Sequence, residues 1–221
     1  MAYRRTENVI RRLHARHDAI VDAARDAAAA GGMAAVQIAP VAERAGVAAG
    51  TVYRYFPGKI ELVGALVESV AEREIAAVKR AADAAPGPLS ALAAAIATFG
   101  ARSLRHRKLA WAVIAEPVDI ETDALRQRYR HDLCGEIEAR IRACIEGGHL
   151  PGQDAHVAAA AVVGVLLEGL IGPLAPDGVE DPARGREVVQ TLTLFALQGL
   201  GVVDAHARGL VVQITLPSGN G

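Results

Sequence analysis

The chain has 221 residues, 52% of them hydrophobic and only 4% aromatic, with a net charge of −1. That length allows one domain of ordinary size and a smaller one, and the apolar fraction excludes a disordered chain. Near-neutral total charge says nothing about nucleic acid, while few aromatics beside abundant alanine argue for close-packed helices over a β-sandwich.

Thr6 is placed to cap a helix opening at Glu7. Ile20, Val21, Ala24, Ala27 and Ala28 then recur at helical spacing until Gly31-Gly32 stop the run. Arg4, Arg5, Arg11 and Arg12 ahead of it fit two readings, an arm reaching a minor groove or a solvated tail making loose phosphate contacts. Ile38 to Ala45 predicts a short helix, with Pro40 tolerated in its first turn. Gly46 suits a tight turn of positive φ, and Ala49 to Phe56 predicts the next helix, ended by Pro57-Gly58. Lys59 opens a long helix with Leu62, Leu66 and Val70 on one stripe and Val63 and Val67 beside it. Ala85-Pro86-Gly87-Pro88 close it at the clearest break in the chain.

Beyond the break every periodic run is helical. One spans about Leu89 to Leu104, and a short one around Trp111 stops at Pro117. A long one runs from about Asp123 to Glu146, with Leu125, Tyr129, Leu133, Ile137, Ile141 and Ile145 at four-residue steps. Two more cover Asp154–Leu174 and Pro182–Gly199. Leu210 to Leu216, β-branched and alternating, is the one stretch that reads as a strand. The fold class is therefore all-α, with about nine helices.

Cys134 and Cys144 lie on one predicted helix, ten residues apart. That is about 15 Å along the axis, beyond the roughly 4.4–6.8 Å between the Cα atoms of a disulfide, so both are expected as reduced thiols of an intracellular protein. The first residues, Met-Ala-Tyr-Arg-Arg-Thr-Glu, have no signal-peptide core, and a cytoplasmic location is expected. Ala155 to Leu174 is apolar enough to suggest a membrane span. Glu168 inside it costs about 2.5–3.5 kcal/mol in a bilayer, which favours a buried helix and no membrane.

Charge is unevenly distributed. Residues 1–59 hold nine Lys/Arg against five acids, a net of +4, and the remainder carries −5. A basic end on an acidic body is the footprint of a nucleic-acid-binding head. Residues 37–59 give that head a form, two short helices bent at Gly46. The major groove, about 12 Å wide, admits one helix. Ala48, Ala49 and Gly50 are a small leading end for such a helix, and Gly50 lets the backbone come close. Thr51, Tyr53 and Tyr55 offer hydroxyls and Lys59 an ammonium, while Gln37 and Arg54 reach phosphates or base edges. Tyr53 and Tyr55, two apart on a helix, cannot share one face, so at least one is expected to be exposed. Val41, Ala42, Ala45, Val47, Val52 and Phe56 are the core that sets the angle between the helices.

Ile-Val-Asp-Ala-Ala (20–24), Ala-Glu-Arg-Ala-Gly-Val (42–47) and Gly-Thr-Val-Tyr-Arg-Tyr-Phe-Pro-Gly-Lys (50–59) resemble the DNA-binding domain of the tetracycline-repressor (TetR) family of bacterial transcriptional regulators. The resemblance covers roughly residues 14–74, with the helix-turn-helix at about 37–56. It implies that Gln37, Ala49, Gly50, Thr51, Tyr53, Tyr55 and Lys59 meet double-stranded DNA, and Arg54 on the same helix is counted with them from its own chemistry. It further implies a two-fold dimer on a palindromic operator, released when a small molecule enters an effector-binding and dimerisation body over residues 75–205; residues 206–221 have no assigned role. Three departures stand out. Ala48-Ala49 replace a common serine-lysine pair, removing a cap and a phosphate contact and shifting base reading toward Gln37, Arg54 and DNA shape. The aromatic residue usual near Ala28 is absent, leaving Met33 to fill that core. Pro40 is unusual in the first turn of its helix.

The helix at Asp154–Leu174, apolar nearly all round, is expected to pack the core on one side and a second subunit on the other, forming a four-helix homodimer interface with Pro182–Gly199. For the effector, Phe99, Trp111, Glu116, Tyr129, Leu166 and Glu168 are the candidates around a hydrophobic cavity. Trp111 lies on a short helix resembling the family's mobile element, and exposure or a salt bridge is the commoner fate of Glu116 and Glu168. His131, Cys134, His149 and His156 lack a second spaced pair for zinc, so no metal and no cofactor is expected. The chain has no nucleophile elbow, phosphate loop, dinucleotide fingerprint or paired carboxylates, and no enzyme is expected. A helical scaffold with a head that does not bind DNA, or a membrane-associated helical protein, are the alternatives.

Overall fold

The computed structural model describes residues 2–117 and 120–213, with side chains from residue 9 on, those of 121 and 213 apart. Ten α-helices account for most of them: α1 (Ala2–Gly31), α2 (Ile38–Arg44), α3 (Ala49–Tyr55), α4 (Lys59–Asp83), α5 (Pro88–Arg105), α6 (Arg107–Ile114), α7 (Ile120–Glu146), α8 (Ala155–Leu170), α9 (Pro182–Gly199) and α10 (Asp204–Gln213), with one 3-10 turn at Met33–Ala35. No strand occurs among the described residues. The all-α reading holds, with one helix more than the periodicity predicted.

The head is α1, α2, α3 and the start of α4. Ile20, Ala24 and Ala28 of α1 meet Val36, Val41, Val52, Phe56, Leu62 and Leu66 in its core. Met33 is buried among them. Pro40 is the third residue of α2, where its absent N–H would have had no partner within the helix. α4 then runs out of the head into the body, where it packs on α5 and α7.

α5 is the centre of the body. It opens on Pro88, and nearly every face is buried, with Leu92, Ala93, Ala95 and Ile96 fully so. Its small residues let neighbours come close: a Cβ on Gly100 would sit 3.2 Å from Val189 and 3.3 Å from Leu170. α4, α6, α7, α8, α9 and α10 pack around it. The ends of α8 and α9 follow from their caps. Asp154 accepts from the amides of His156 and Val157 to start α8, and Asp181 from those of Ala183 and Arg184 to start α9.

Four expectations need correction. α1 begins at Ala2, so Thr6 is inside the helix rather than its cap, and no extended arm exists over the described residues. α7 begins at Ile120 rather than Asp123. α8 ends at Leu170 rather than Leu174, where Gly172 N–H turns back to the Leu167 carbonyl at 2.8 Å. Leu210 to Gln213, read as strand, is helical; residues 214–216 of that reading lie outside the described residues. Ala207, Leu210 and Val211 are buried at i, i+3 and i+4, against α9 and α5, and that packing overrides the β-propensity of the local sequence.

Both cysteines on α7 are free thiols, Cys144 buried and Cys134 half-buried. Burial pushes the Cys144 thiol up to about 11. Among the described residues no helix is long and apolar enough to cross a membrane.

Candidate functional site

The head's motif is built on a turn. α2 ends where Gly46 adopts φ +67, a left-handed conformation that a Cβ would oppose. Val47 N–H then donates to the Ala42 carbonyl at 2.9 Å and Gly46 N–H to the Glu43 carbonyl at 3.1 Å, satisfying carbonyls that the helix end leaves open. Val41, Ala42, Val52 and Phe56 are buried and hold α3 across α2. Ala45 and Val47 are half-buried against the same core.

The outer face of α3 stays in solvent. Ala48 is its N-cap and offers no side-chain bond, as its residue type requires. Ala49, Gly50 and Arg54 are exposed, Thr51 is half-buried and Tyr53 is 54% exposed. Tyr55 is half-buried, its ring 6.3 Å from that of His17 and 6.5 Å from that of Phe56. Lys59 is exposed at the first position of α4. Seven of the eight expected contact residues thus follow one another along α3 and into α4. The eighth, Gln37, is the N-cap of α2, and its Nε2 donates to the Ala34 carbonyl at 3.0 Å. Its amide closes the turn ahead of α2 instead of standing free.

A connection between head and body was not legible in the sequence. Glu116, between α6 and α7, places Oε2 2.9 Å from the amide of Met33, the first residue of the head's 3-10 turn. Gly32 beside it has φ +70, and a Cβ there would lie 2.7 Å from the Glu116 carboxylate. Two arginines of α7 hold the segment that presents Glu116. The buried Arg126 donates to the carbonyls of Ala112 and Glu116, and Arg130 to that of Ile114 at 2.7 Å. Glu116→Ala is expected to cost about 1–2 kcal/mol, since a charged acceptor is lost from a partly buried amide. Glu116→Gln, which keeps an acceptor, should lose less than half of that, and thermal unfolding of the two proteins makes the comparison.

The six effector candidates do not converge. Phe99 and Leu166 are fully buried core residues, Trp111 is 36% exposed on α6, and Glu168 is exposed on α8. Glu116 grips the head. Tyr129 is the exception, since it forms a wall shared by two spaces. On its outer side a groove of about 710 Å³ runs between α4 and α7, floored by Val67, Ala71, Ile75 and Leu125 and rimmed by Glu68, Glu72 and Asp132. On its inner side lies a cavity of about 20 Å³ among Val70, Leu109, Val113 and the Glu74–Arg102 pair. That volume is room for about one water.

The pair is two-pronged: Arg102 Nε and Nη2 donate to the two Glu74 oxygens at 2.7 and 2.8 Å. The hydrogen bond to Glu74 raises the Arg102 pKa. Tyr129 is 3% exposed, and burial first, then the Glu74 charge, raises its phenol well above the ordinary value. It is therefore a neutral hydroxyl facing an ion pair. The histidines considered for zinc are occupied separately, His131 beside the Gln127 carbonyl and His156 beside Glu138. Among the described residues no three potential ligands come together around a metal position.

Residues 20–66 match bacterial regulatory proteins of the tetR family. Over 77 residues the chain is 46% identical to the HTH-type transcriptional repressor KstR of Mycolicibacterium smegmatis, a match covering 35% of this chain and 38% of that protein. The chain thus spans little more than a third of that relative's length. The whole architecture is similar to that of the fatty acid degradation regulator FadR from Bacillus halodurans, with TM-score 0.71, 20% identity, and coverage of 85% of this chain and 97% of that one. It is also similar to RolR in complex with resorcinol, with TM-score 0.64, 20% identity and coverage of 95% and 98%. At that identity the likeness is one of fold. The match over residues 20–66 takes in Gly46, Tyr53 and Lys59, so it is the head of this chain that is similar to bacterial regulatory proteins of the tetR family.

Proposed function

We propose that the protein is a cytoplasmic transcriptional repressor that binds a palindromic operator as a dimer, leaves it when a small molecule occupies the body, and catalyses no reaction. The observation that carries the reading is the exposed face of α3, with Gly50 and Tyr53 in solvent and Lys59 just beyond, on a head of the tetR family. A helix with small residues at its tip and donors along its flank suits a major groove.

The dimer reading is supported by exposed apolar residues on α8 and α9. Val157 is 63% and Phe195 59% exposed. Ala161, Gly164 and Glu168 continue the α8 stripe from Val157, and Thr191 and Gln198 flank Phe195 on α9; all five are exposed. Such a surface fits a two-fold four-helix contact. Phe195→Glu is expected to shift sedimentation at micromolar concentration from dimer to monomer; a monomeric parent protein would overturn the interface.

For the effector, the groove between α4 and α7 is the entry we favour, because α4 carries any displacement there toward Lys59. RolR's complex with resorcinol supports an effector of small, polar-rimmed character for a fold of this kind. The decisive test is selection from random duplex DNA at low salt with the full chain. Recovery of a palindrome is expected, and Lys59→Ala should bind it more weakly with a salt slope reduced by about one per subunit. Recovery of no duplex would overturn the regulator in favour of a helical scaffold protein.

A further inference from the structure

We propose that residues 9–16 of α1 form a second DNA contact, a rigid helix that lays Arg12 and Arg16 on phosphates beyond the groove entered by α3. The inference rests on the DNA-binding reading above. All eight of these residues are exposed, and the first buried side chain after them is Ile20, so the stretch stands out from the head without packing on it. It contains no acid, and neither does its flank from Asn8 to His17. Arg12 and Arg16, four apart, share one helical face and make no ion pair among the described residues. Elsewhere Arg25, Arg73, Arg102, Arg107 and Arg140 each sit on a carboxylate.

Position gives the cations a direction. The His17 ring lies 5.1 Å from that of Phe56 and 6.3 Å from that of Tyr55, so the stretch leaves the head at the C-terminal end of α3, next to the expected phosphate contacts. From Arg12 to Arg16 the helix rises about 6 Å, close to the axial span of two base pairs at roughly 3.4 Å each. That suffices for Arg12 and Arg16 to meet successive phosphates. The stretch is helical because the packed part of α1 supplies the nucleus that an isolated segment lacks, and Arg, Leu and Ala extend it well. A preformed helix gives up less freedom on binding than an arm would. Val9, Ile10 and Leu13, about half-exposed, also give the helix an apolar side. Charge and continuity with α3 favour DNA as its occupant, and a membrane surface is the competing outcome.

The experiment uses the full chain and the duplex recovered by selection, in a trimmed form and in one extended by about one helical turn at each end. Affinity is measured against salt for the parent, Arg12→Ala/Arg16→Ala, Arg12→Lys/Arg16→Lys and Lys59→Ala. On the extended duplex the double alanine variant should lose about tenfold in affinity at low salt and about two from the salt slope per subunit. The lysine variant should keep the slope, and on the trimmed duplex the alanine variant should match the parent. If parent and alanine variant coincide on the extended duplex while Lys59→Ala binds more weakly, the inference fails and the DNA-binding reading stands. If the parent binds no duplex, both fail. If phosphatidylserine vesicles retain the parent and release the alanine variant while the DNA slopes coincide, the stretch is a membrane contact and the inference is overturned. Unchanged thermal unfolding confirms that the exposed arginines were removed without loss of the fold.

Discussion

Replacing Gly50 with leucine is expected to leave the fold intact and weaken operator binding on the order of 100-fold, about 2.7 kcal/mol. Gly50 is exposed in the first turn of α3, and a Cβ there would meet nothing within 4 Å. Gly185 is the contrast, since a Cβ on it would lie 2.9 Å from the Val179 carbonyl and the protein's own packing explains the glycine. At Gly50 no internal contact does. A side chain at the leading end of α3 would hold the helix out of the groove and loosen several phosphate contacts together. Gly50→Ala sharpens the test, because alanine favours a helix over glycine by up to about 1 kcal/mol. Its protein should melt no lower than the parent while binding DNA more weakly. If Gly50→Leu bound the selected duplex as tightly as the parent, α3 would not be the reading helix.

The second large effect is expected at the Glu74–Arg102 pair. Both side chains are about four-fifths buried, 18% and 22% exposed, and they join α4 to α5. Arg102→Leu leaves a carboxylate in the body beside the Tyr129 hydroxyl without its cation, a loss of about 2–3 kcal/mol once partial solvent access is allowed for. At roughly 2–4 °C per kcal/mol for a chain of this size, the melting temperature should fall by about 4–12 °C. Glu74→Leu/Arg102→Leu removes both charges and should regain most of that loss. A double variant no better than Arg102→Leu alone would mean that the damage comes from packing and not from the orphaned charge. The same pair lines the small cavity on the inner side of Tyr129 and not the groove between α4 and α7, so the double variant should leave ligand-free operator affinity near that of the parent.

The candidate interface was mostly legible in the chain because its parts are local. Gly46 needs positive φ, Pro57-Gly58 end α3, and Val41, Val52 and Phe56 are apolar at the spacing that joins two short helices. Gln37 was legible as the start of α2 but not as a side chain turned back onto Ala34, since the amide chooses among partners only after the turn at Met33–Ala35 has formed. The effector candidates were less legible. Aromatic character alone nominated Phe99, and α5 buries it because that helix is surrounded on every side.

By itself the sequence determined the helices and the head, because helical periodicity, caps and glycine turns act over a few residues. Helix packing decided the rest. Only the fold brings Glu116 to Met33 across 83 positions and Arg102 to Glu74 across 28, and only contact with α5 and α9 turns the β-branched Leu210–Gln213 run into helix. The apolar stripes of α8 and α9, the groove between α4 and α7 and the uncovered residues 9–16 of α1 were settled in the same way. Which surfaces are left open depends on which helices meet, and no local stretch of sequence records that.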